Sequence, residues 1–309
     1  MKKKLINLEP KYYSEKAKKI LKKKFNYSEF SGTTQNKKIL INKIKDYDII
    51  ITRFKFKLDR KILSECNKLK SVISATTGLD HLDVPYLKEK KIKIYSLKNK
   101  KNFLKKIKSS SEHTWALLLS IIKKIPQSFD SVKKLKWDRY LFLNNILYKK
   151  KIGIIGLGRN GKNIVKYSKA FGMKIITYDK GSNFEKLKII FKTCDIVILT
   201  IELNESTKNL VNSQLLNLVN KNFILVNTSR AEVINQNDLI NKIKESKLFY
   251  FASDFLEFKD RVLTSSSKKL VKLSKSNQIL ITPHLAGASL ESWNICEEYL
   301  AKLITKYEK

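Results

Sequence analysis

Cysteine is scarce in this 309-residue chain: Cys66, Cys194 and Cys296 stand far apart and share no metal-binding or redox spacing. That fits three reduced thiols better than a disulfide framework. Long apolar runs are missing too. The longest, Thr114 to Ile122, is closed by His113 on one side and by Lys123 and Lys124 on the other, well short of the roughly 18 residues a membrane span needs. In the opening MKKKLINLEP the apolar stretch after the lysines is interrupted at Asn7 and Glu9, so no secretory leader is expected and a cytoplasmic protein is. Acids and arginines are few: 28 Asp and Glu stand against 64 Lys and Arg for a net charge of +36, and only six of the 64 are arginine. Such an imbalance raises the question of a nucleic-acid partner. The lysines, however, are spread over every segment alongside abundant Asn and Ile rather than concentrated in one basic face with interleaved aromatics. Codon usage in an A+T-rich genome accounts for that pattern better, and no nucleic-acid partner is expected.

What the chain does have is Lys151 to Asp179, KIGIIGLGRNGKNIVKYSKAFGMKIITYD, which reads as strand, glycine turn, helix, strand, acid. Ile152, Ile154 and Ile155 make a short apolar run of the kind found in buried parallel strands. It ends in Gly156-Leu157-Gly158-Arg159-Asn160-Gly161, a G-x-G-x-x-G in its proper setting. Gly156 makes the tight turn, Gly158 lets backbone approach a pyrophosphate, and Gly161 lets the following helix lie close to the strand. Phosphates would rest on the N–H groups of that helix's first turn. The helix carries Ile164, Ser168 and Phe171 on one face and stops at Gly172, suited to a left-handed cap. Asp179 follows the next strand, eighteen residues beyond Gly161, near the roughly 20-residue offset of the carboxylate that holds the adenosine ribose hydroxyls. An acid there disfavours a 2′-phosphate, so the cofactor read from the sequence is NAD.

Around this unit, apolar runs alternate with amphipathic ones. Leu5 to Leu8, Asp48 to Thr52, Val72 to Ala75 and Ile92 to Tyr95 read as strands; Glu15 to Lys24, Asn36 to Ile44 and Asp59 to Cys66 read as helices. The length suits two domains, and the βαβα rhythm predicts parallel sheets covered on both faces. Arg53 stands directly after a strand, where open α/β sheets place ligands, and its fork suits a carboxylate or phosphate as well as it suits solvent. The turn Thr76-Thr77-Gly78-Leu79-Asp80-His81 follows another strand; Gly78 permits amides to point at an anion, and His81 reads better as structural than as catalytic. Ser109 and Glu112 form a capping-box pattern for a long helix through Lys124, in which His113 and Trp115 read as packing residues. Residues 125 to 150 read as irregular, an arm for a dimer or a loop over the cofactor. Further strands, Asp195 to Thr200, Asn222 to Val226, Leu248 to Ala252 and Gln278 to Ile281, bring Thr200, Arg230, Asp254 and His284 to strand ends. A histidine held by Pro283 at a strand end is a candidate acid/base.

Taken together, TTGLDH at Thr76 to His81, GLGRNG at Gly156 to Gly161, VNTSR at Val226 to Arg230 and TPHLAGAS at Thr282 to Ser289 resemble the D-isomer-specific 2-hydroxyacid dehydrogenases, the group containing D-3-phosphoglycerate dehydrogenase. The resemblance runs from about Ile49 to Ser289. It implies two doubly wound parallel-sheet domains of Rossmann or flavodoxin type, with an NAD domain (109–283) inserted into a substrate domain (1–108 and 284–309). It implies that Arg230 holds the substrate carboxylate and polarises its carbonyl, that His284 shuttles the proton at the C2 oxygen, and that Arg53, Thr77 and Gly78 contact substrate. Cofactor contacts would come from Gly156, Gly158, Arg159, Asn160, Gly161, Asp179, Thr200, Thr228, Ser229, Gly287 and Asp254, the last at the nicotinamide carboxamide. The expected partners are a small 2-hydroxy or 2-keto acid and a second copy of the chain. Three positions depart from the family pattern. Ala231 and Glu202 replace a usual glycine and proline tolerably. Lys259 stands where a glutamate normally pairs with the catalytic histidine, and an ammonium there would lower that histidine's pKa. Asp260 would serve instead if the loop shifts by one residue, Glu257 if it turns. The resulting expectation is an NAD-dependent oxidoreductase; the alternative is a family member that keeps the NAD site but acts as a binding or regulatory protein.

Overall fold

The structure, a computed structural model, describes residues 2–30, 32, 36–220, 222–259 and 262–308. The chain divides into two compact units, residues 1–107 with 289–309, and residues 108–288. Residues 108–288 thus stand in sequence between the two segments of the first unit.

The first unit contains β1 (Lys4–Asn7), α1 (Glu15–Lys24), β2 (Asn26–Glu29), α2 (Lys37–Ile44), β3 (Ile49–Ile51), α3 (Arg60–Leu63), β4 (Ser71–Ser74), α4 (Val84–Glu89), β5 (Lys93–Ser96) and α5 (Lys101–Leu104). Its sheet is parallel throughout, in the order β2-β1-β3-β4-β5. Successive side chains point to opposite faces, and the sequence uses both. Leu5, Ile49, Ile51 and Ile73 pack on one side with Ala17 and Leu21 of α1, while Ile6, Ile50 and Val72 pack on the other with Leu40 and Ile44 of α2. Each such side chain contributes about 1.5–3 kcal/mol when fully buried. The strand β2, NYSE, has none and is an edge strand that the apolar pattern does not announce.

In the second unit, α6 (Ser109–Ile122) and α7 (Ile125–Lys133) precede β6 (Lys151–Ile155), α8 (Arg159–Ala170), β7 (Lys174–Tyr178), α9 (Phe184–Thr193), β8 (Ile196–Leu199), α10 (Ser213–Leu216), β9 (Phe223–Asn227), α11 (Gln236–Glu245) and β10 (Phe249–Ser253). A short antiparallel hairpin, β11 (Phe258–Lys259) with β12 (Val262–Leu263), then α12 (Ser265–Leu273) and β13 (Ile279–Ile281) complete it. The main sheet is again parallel, ordered β13-β10-β9-β8-β6-β7. Ile152, Ile154, Ile196, Ile198 and Val226 face α6 and α8; Ile155, Val197, Leu199 and Leu225 face α9 to α11. The final helix, α13 (Leu290–Tyr307), belongs to the first unit, where it packs on α1.

Two local expectations are corrected. The helix α6 starts from Lys108 without a side-chain cap, and the Ser109 hydroxyl is buried without a partner, so the capping box does not form. Ser111 and Thr114 instead return their hydroxyls to the carbonyls of Lys108 and Ser110. Residues 125–133 are helical, because Ile125, Phe129 and Val132 share a helical period and Pro126 suits a first turn; the helix nevertheless buries none of its residues.

Candidate active site

Strand order reverses between β6 and β8, and at such a switch point the loops diverge to leave a crevice at the carboxyl ends of the strands. The glycine corner stands there. Gly156 has φ +97°, and a Cβ on it would come within 2.9 Å of the Thr200 backbone. On Gly161 a Cβ would run into the Gly156 carbonyl oxygen, so glycine is what lets α8 lie against the strand end. Thr200 fixes the corner by donating its hydroxyl to that same carbonyl at 2.7 Å. Gly158 differs: it is exposed, and a Cβ there would meet nothing within 4 Å. Above it α8 begins with no side-chain cap, so its first-turn amides carry the positive end of the helix dipole toward open space. The side-chain oxygen of Asn160 is buried without a hydrogen-bond partner, and Arg159 is half-buried beside it. Asp179 lies exposed just past β7. A corner of open backbone, an uncapped helix start and an exposed acid one strand away fit a dinucleotide.

A second cluster forms at the ends of β9, β10 and β13. Asn227, fully buried, accepts from the amide and hydroxyl of Ser229 and donates to the Arg230 carbonyl at 2.9 Å, which shapes the turn that presents Arg230. Thr228 is buried with its hydroxyl 2.7 Å from that of Thr114. Asp254 is fully buried, and its carboxylate accepts from the Thr282 hydroxyl at 2.5 Å and from the amides of Leu285 and Ala286 at 2.7 and 2.8 Å. Nε2 of His113 lies 3.3 Å from the same carboxylate and 3.0 Å from the Thr282 hydroxyl. Burial opposes the charged carboxylate, but these hydrogen bonds outweigh it and hold the Asp254 pKa below its ordinary value. The group they restrain is His284, whose φ is +57°, a region costly for any residue with a Cβ. Its amide donates to the carbonyls of Asp254 and Thr282. Asp254 thus clamps a strained turn and keeps the exposed imidazole in place.

Arg230 and His284 come together through Phe255, a residue that no motif singled out. The Phe255 ring centroid is 4.3 Å from that of His284 and 4.9 Å from the guanidinium carbon of Arg230. His113, read from sequence as packing, is instead a partner of the clamp. Glu257 does not turn inward: its carboxylate faces the Thr264 hydroxyl at 3.4 Å. Lys259 is exposed on β11, and Asp260 lies outside the described residues. Gly287 is exposed with open space around it.

On the first unit, Arg53 follows β3 at that sheet's own switch point. It is buried, bonded to Glu297 at 2.6 Å and stacked 4.2 Å from the Trp293 ring. Burial raises the Glu297 carboxyl above its usual pKa against the pull of Arg53. Thr77 is exposed, and the Gly78 carbonyl accepts from Thr76. His81 is buried on Ser74 at 3.0 Å, and burial pushes its pKa down to about 4, so it is structural.

The family model for the D-isomer specific 2-hydroxyacid dehydrogenase NAD binding domain matches residues 115–286, more than half of the chain. The chain belongs to the D-isomer specific 2-hydroxyacid dehydrogenase family. The model for the catalytic domain of the same dehydrogenase family matches residues 8–102. Among its relatives, D-3-phosphoglycerate dehydrogenase of Methanocaldococcus jannaschii is 31% identical over 303 residues, covering 94% of this chain and 55% of that protein. Hydroxypyruvate reductase of Thermotoga maritima is 28% identical over 276 residues, covering 86% and 87%. The structure of D-lactate dehydrogenase from Aquifex aeolicus, complexed with NAD and lactic acid, aligns with a TM-score of 0.82 at 25% identity, covering 98% of this chain and 94% of that one. The chain spans about half the length of the first curated dehydrogenases it matches, 55% and 45%. The family, the fold and the NAD-binding domain expected from the motifs are therefore those found.

Proposed function

We propose that this chain is an NAD-dependent oxidoreductase that interconverts a small D-2-hydroxy acid and its 2-keto acid. The observation that carries this reading is the meeting of Arg230 and His284 at one ring, on the unit that also bears the glycine corner. The pyrophosphate would lie over Gly158 against the first turn of α8, and Asp179 would accept from the adenosine ribose hydroxyls. NADH, when bound, supplies the hydride. Arg230 would grip the substrate carboxylate with its planar fork and draw electron density toward the carbonyl oxygen. His284 would give its proton to that oxygen in reduction and take it back in oxidation. Asp254, expected at the carboxamide, has its carboxylate occupied by the His284 loop, so we assign it to holding that loop. Because Arg53 is already neutralised by Glu297, we favour an unphosphorylated acid over a phosphorylated one.

A homodimer and a cytoplasmic setting are part of the same proposal. Supporting the first is the apolar surface of residues 125–148, where Leu135 is 96% and Trp137 90% exposed. Supporting the second are three buried cysteines, none in a disulfide.

The test is turnover of NADH with a panel of 2-keto acids: pyruvate, glyoxylate, hydroxypyruvate and phosphohydroxypyruvate. Turnover is expected with at least one of them, and Arg230→Lys should lower it on the order of 100-fold with NADH affinity near normal. Tight NADH binding with no turnover on any acid would favour the second reading, a binding protein, to which Lys259 in place of the family glutamate lends its support.

A further inference from the structure

Phe255 follows Asp254 at the end of β10 and is fixed at its backbone from both directions. Its amide donates to the Ser253 hydroxyl oxygen at 3.1 Å, and that hydroxyl donates to the Phe255 carbonyl at 2.9 Å. Ser253 is itself fully buried, with its hydroxyl also 3.1 Å from the Asn227 carbonyl. The ring is thus tied to the same residue, Asn227, that shapes the turn of Arg230. Half-buried, it reaches the His284 imidazole at 4.3 Å with the planes inclined by 50°, and the Arg230 guanidinium at 4.9 Å.

We propose that Phe255 is a positioning residue, a shared aromatic platform that sets Arg230 and His284 against each other. The consequence for turnover rests on the dehydrogenase reading above; the geometry does not. A guanidinium alone disfavours a second positive charge beside it. An aromatic face carries partial negative potential and attracts cations within about 6 Å of its centroid. One ring can therefore hold the guanidinium and favour the protonated imidazole at the same time. Unlike a carboxylate, a phenyl ring does not titrate, so its effect is the same at every pH at which the protein is folded.

Charged groups near the imidazole include Arg230 across the ring and the clamped carboxylate of Asp254, with His113 behind that carboxylate. Glu257, held toward Thr264, and the exposed Lys259 follow on the same segment. Substitution of Phe255 by Leu or Tyr adds and removes no charge at any of them.

The experiment compares the full chain with Phe255→Leu, which keeps apolar bulk without a π face, and Phe255→Tyr, which restores the face. NMR follows two signals in the protein without ligand: the titration of the His284 imidazole, assigned with His284→Asn, and the Arg230 Nε–H resonance, which feels the ring current. Leu should lower the His284 midpoint by ~0.5 pH unit and move the Arg230 resonance, and Tyr should return both toward the starting values. In reduction assays Leu should lower kcat by about 3- to 10-fold with KM for NADH unchanged, and shift the alkaline limb of the pH–rate profile to lower pH. A His284 midpoint and an Arg230 resonance identical in the unaltered chain and the Leu variant would overturn the platform. Absence of turnover in the unaltered chain would instead remove the dehydrogenase reading, and the two NMR signals would still decide on Phe255.

Discussion

His81 and His284 show how little a residue's identity fixes its chemistry. Both follow a strand within a motif of the family, yet His81 is 6% exposed and pushed down to about 4, while His284 is exposed. Below its ordinary value of 6.5 the unfolded chain takes up a proton at His81 that the folded chain refuses. The contribution of His81 to stability is therefore complete above pH 6.5 and is lost as pH falls toward 4. That loss is roughly 3 kcal/mol over the window, and His81→Gln should flatten this part of the curve when urea unfolding is measured at pH 7 and pH 4.5. An unchanged pH dependence in the variant would show that His81 titrates normally. At this scale Arg230 and His284 could be picked out as candidates because each follows a strand inside a recognisable motif. Phe255 and His113 could not: no motif singled out the first, the second read as a packing residue, and the contact of His113 joins positions 169 residues apart.

Elements were legible where apolar residues are continuous. The strand β7 falls just before Asp179, as expected, whereas β2, α4, α5 and the β11–β12 hairpin did not show, being short or polar, with pairing and packing that no local pattern records. The capping box failed for a related reason: Ser109 and Glu112 have the spacing, but the Ser109 hydroxyl is turned into the protein. The turn from β6 into α8 was legible at Gly156 and Gly161, and with Gly158 it gives a prediction that separates fold from ligand binding. Gly161→Ala places a methyl against the Gly156 carbonyl and should cost about 1–3 kcal/mol in thermal or urea unfolding. Gly158→Ala enters open space at φ −64°, so it should leave stability near normal and weaken NADH binding, measured by fluorescence titration. Equal effects of the two substitutions on stability would contradict this division of roles.

For the whole molecule, the lysine excess and the exposed apolar surface pull in different directions. A net charge of +36 keeps copies apart, most strongly at low salt. In the proposed dimer the surface around Leu135 and Trp137 would draw them together, so association should tighten as salt is raised toward physiological strength. Replacing both residues by lysine should weaken association at least about 100-fold, given the transfer energy of two large side chains, with sedimentation velocity as the readout. A monomeric unaltered chain at micromolar concentration and physiological salt would remove the dimer. The two units also share a strand order, β2-β1-β3-β4-β5 in one and β7-β6-β8-β9-β10 in the other before the addition of β13. They have treated equivalent corners in opposite ways. Where the second unit leaves bare glycine backbone, the first bridges its corner with the Glu9 carboxylate, which accepts from Thr52 and from the amides of Arg53 and Lys55. A frame used twice has kept one crevice open and stitched the other shut with its own side chains. Calorimetric titration should accordingly count a single dinucleotide per chain, although the architecture offers two berths.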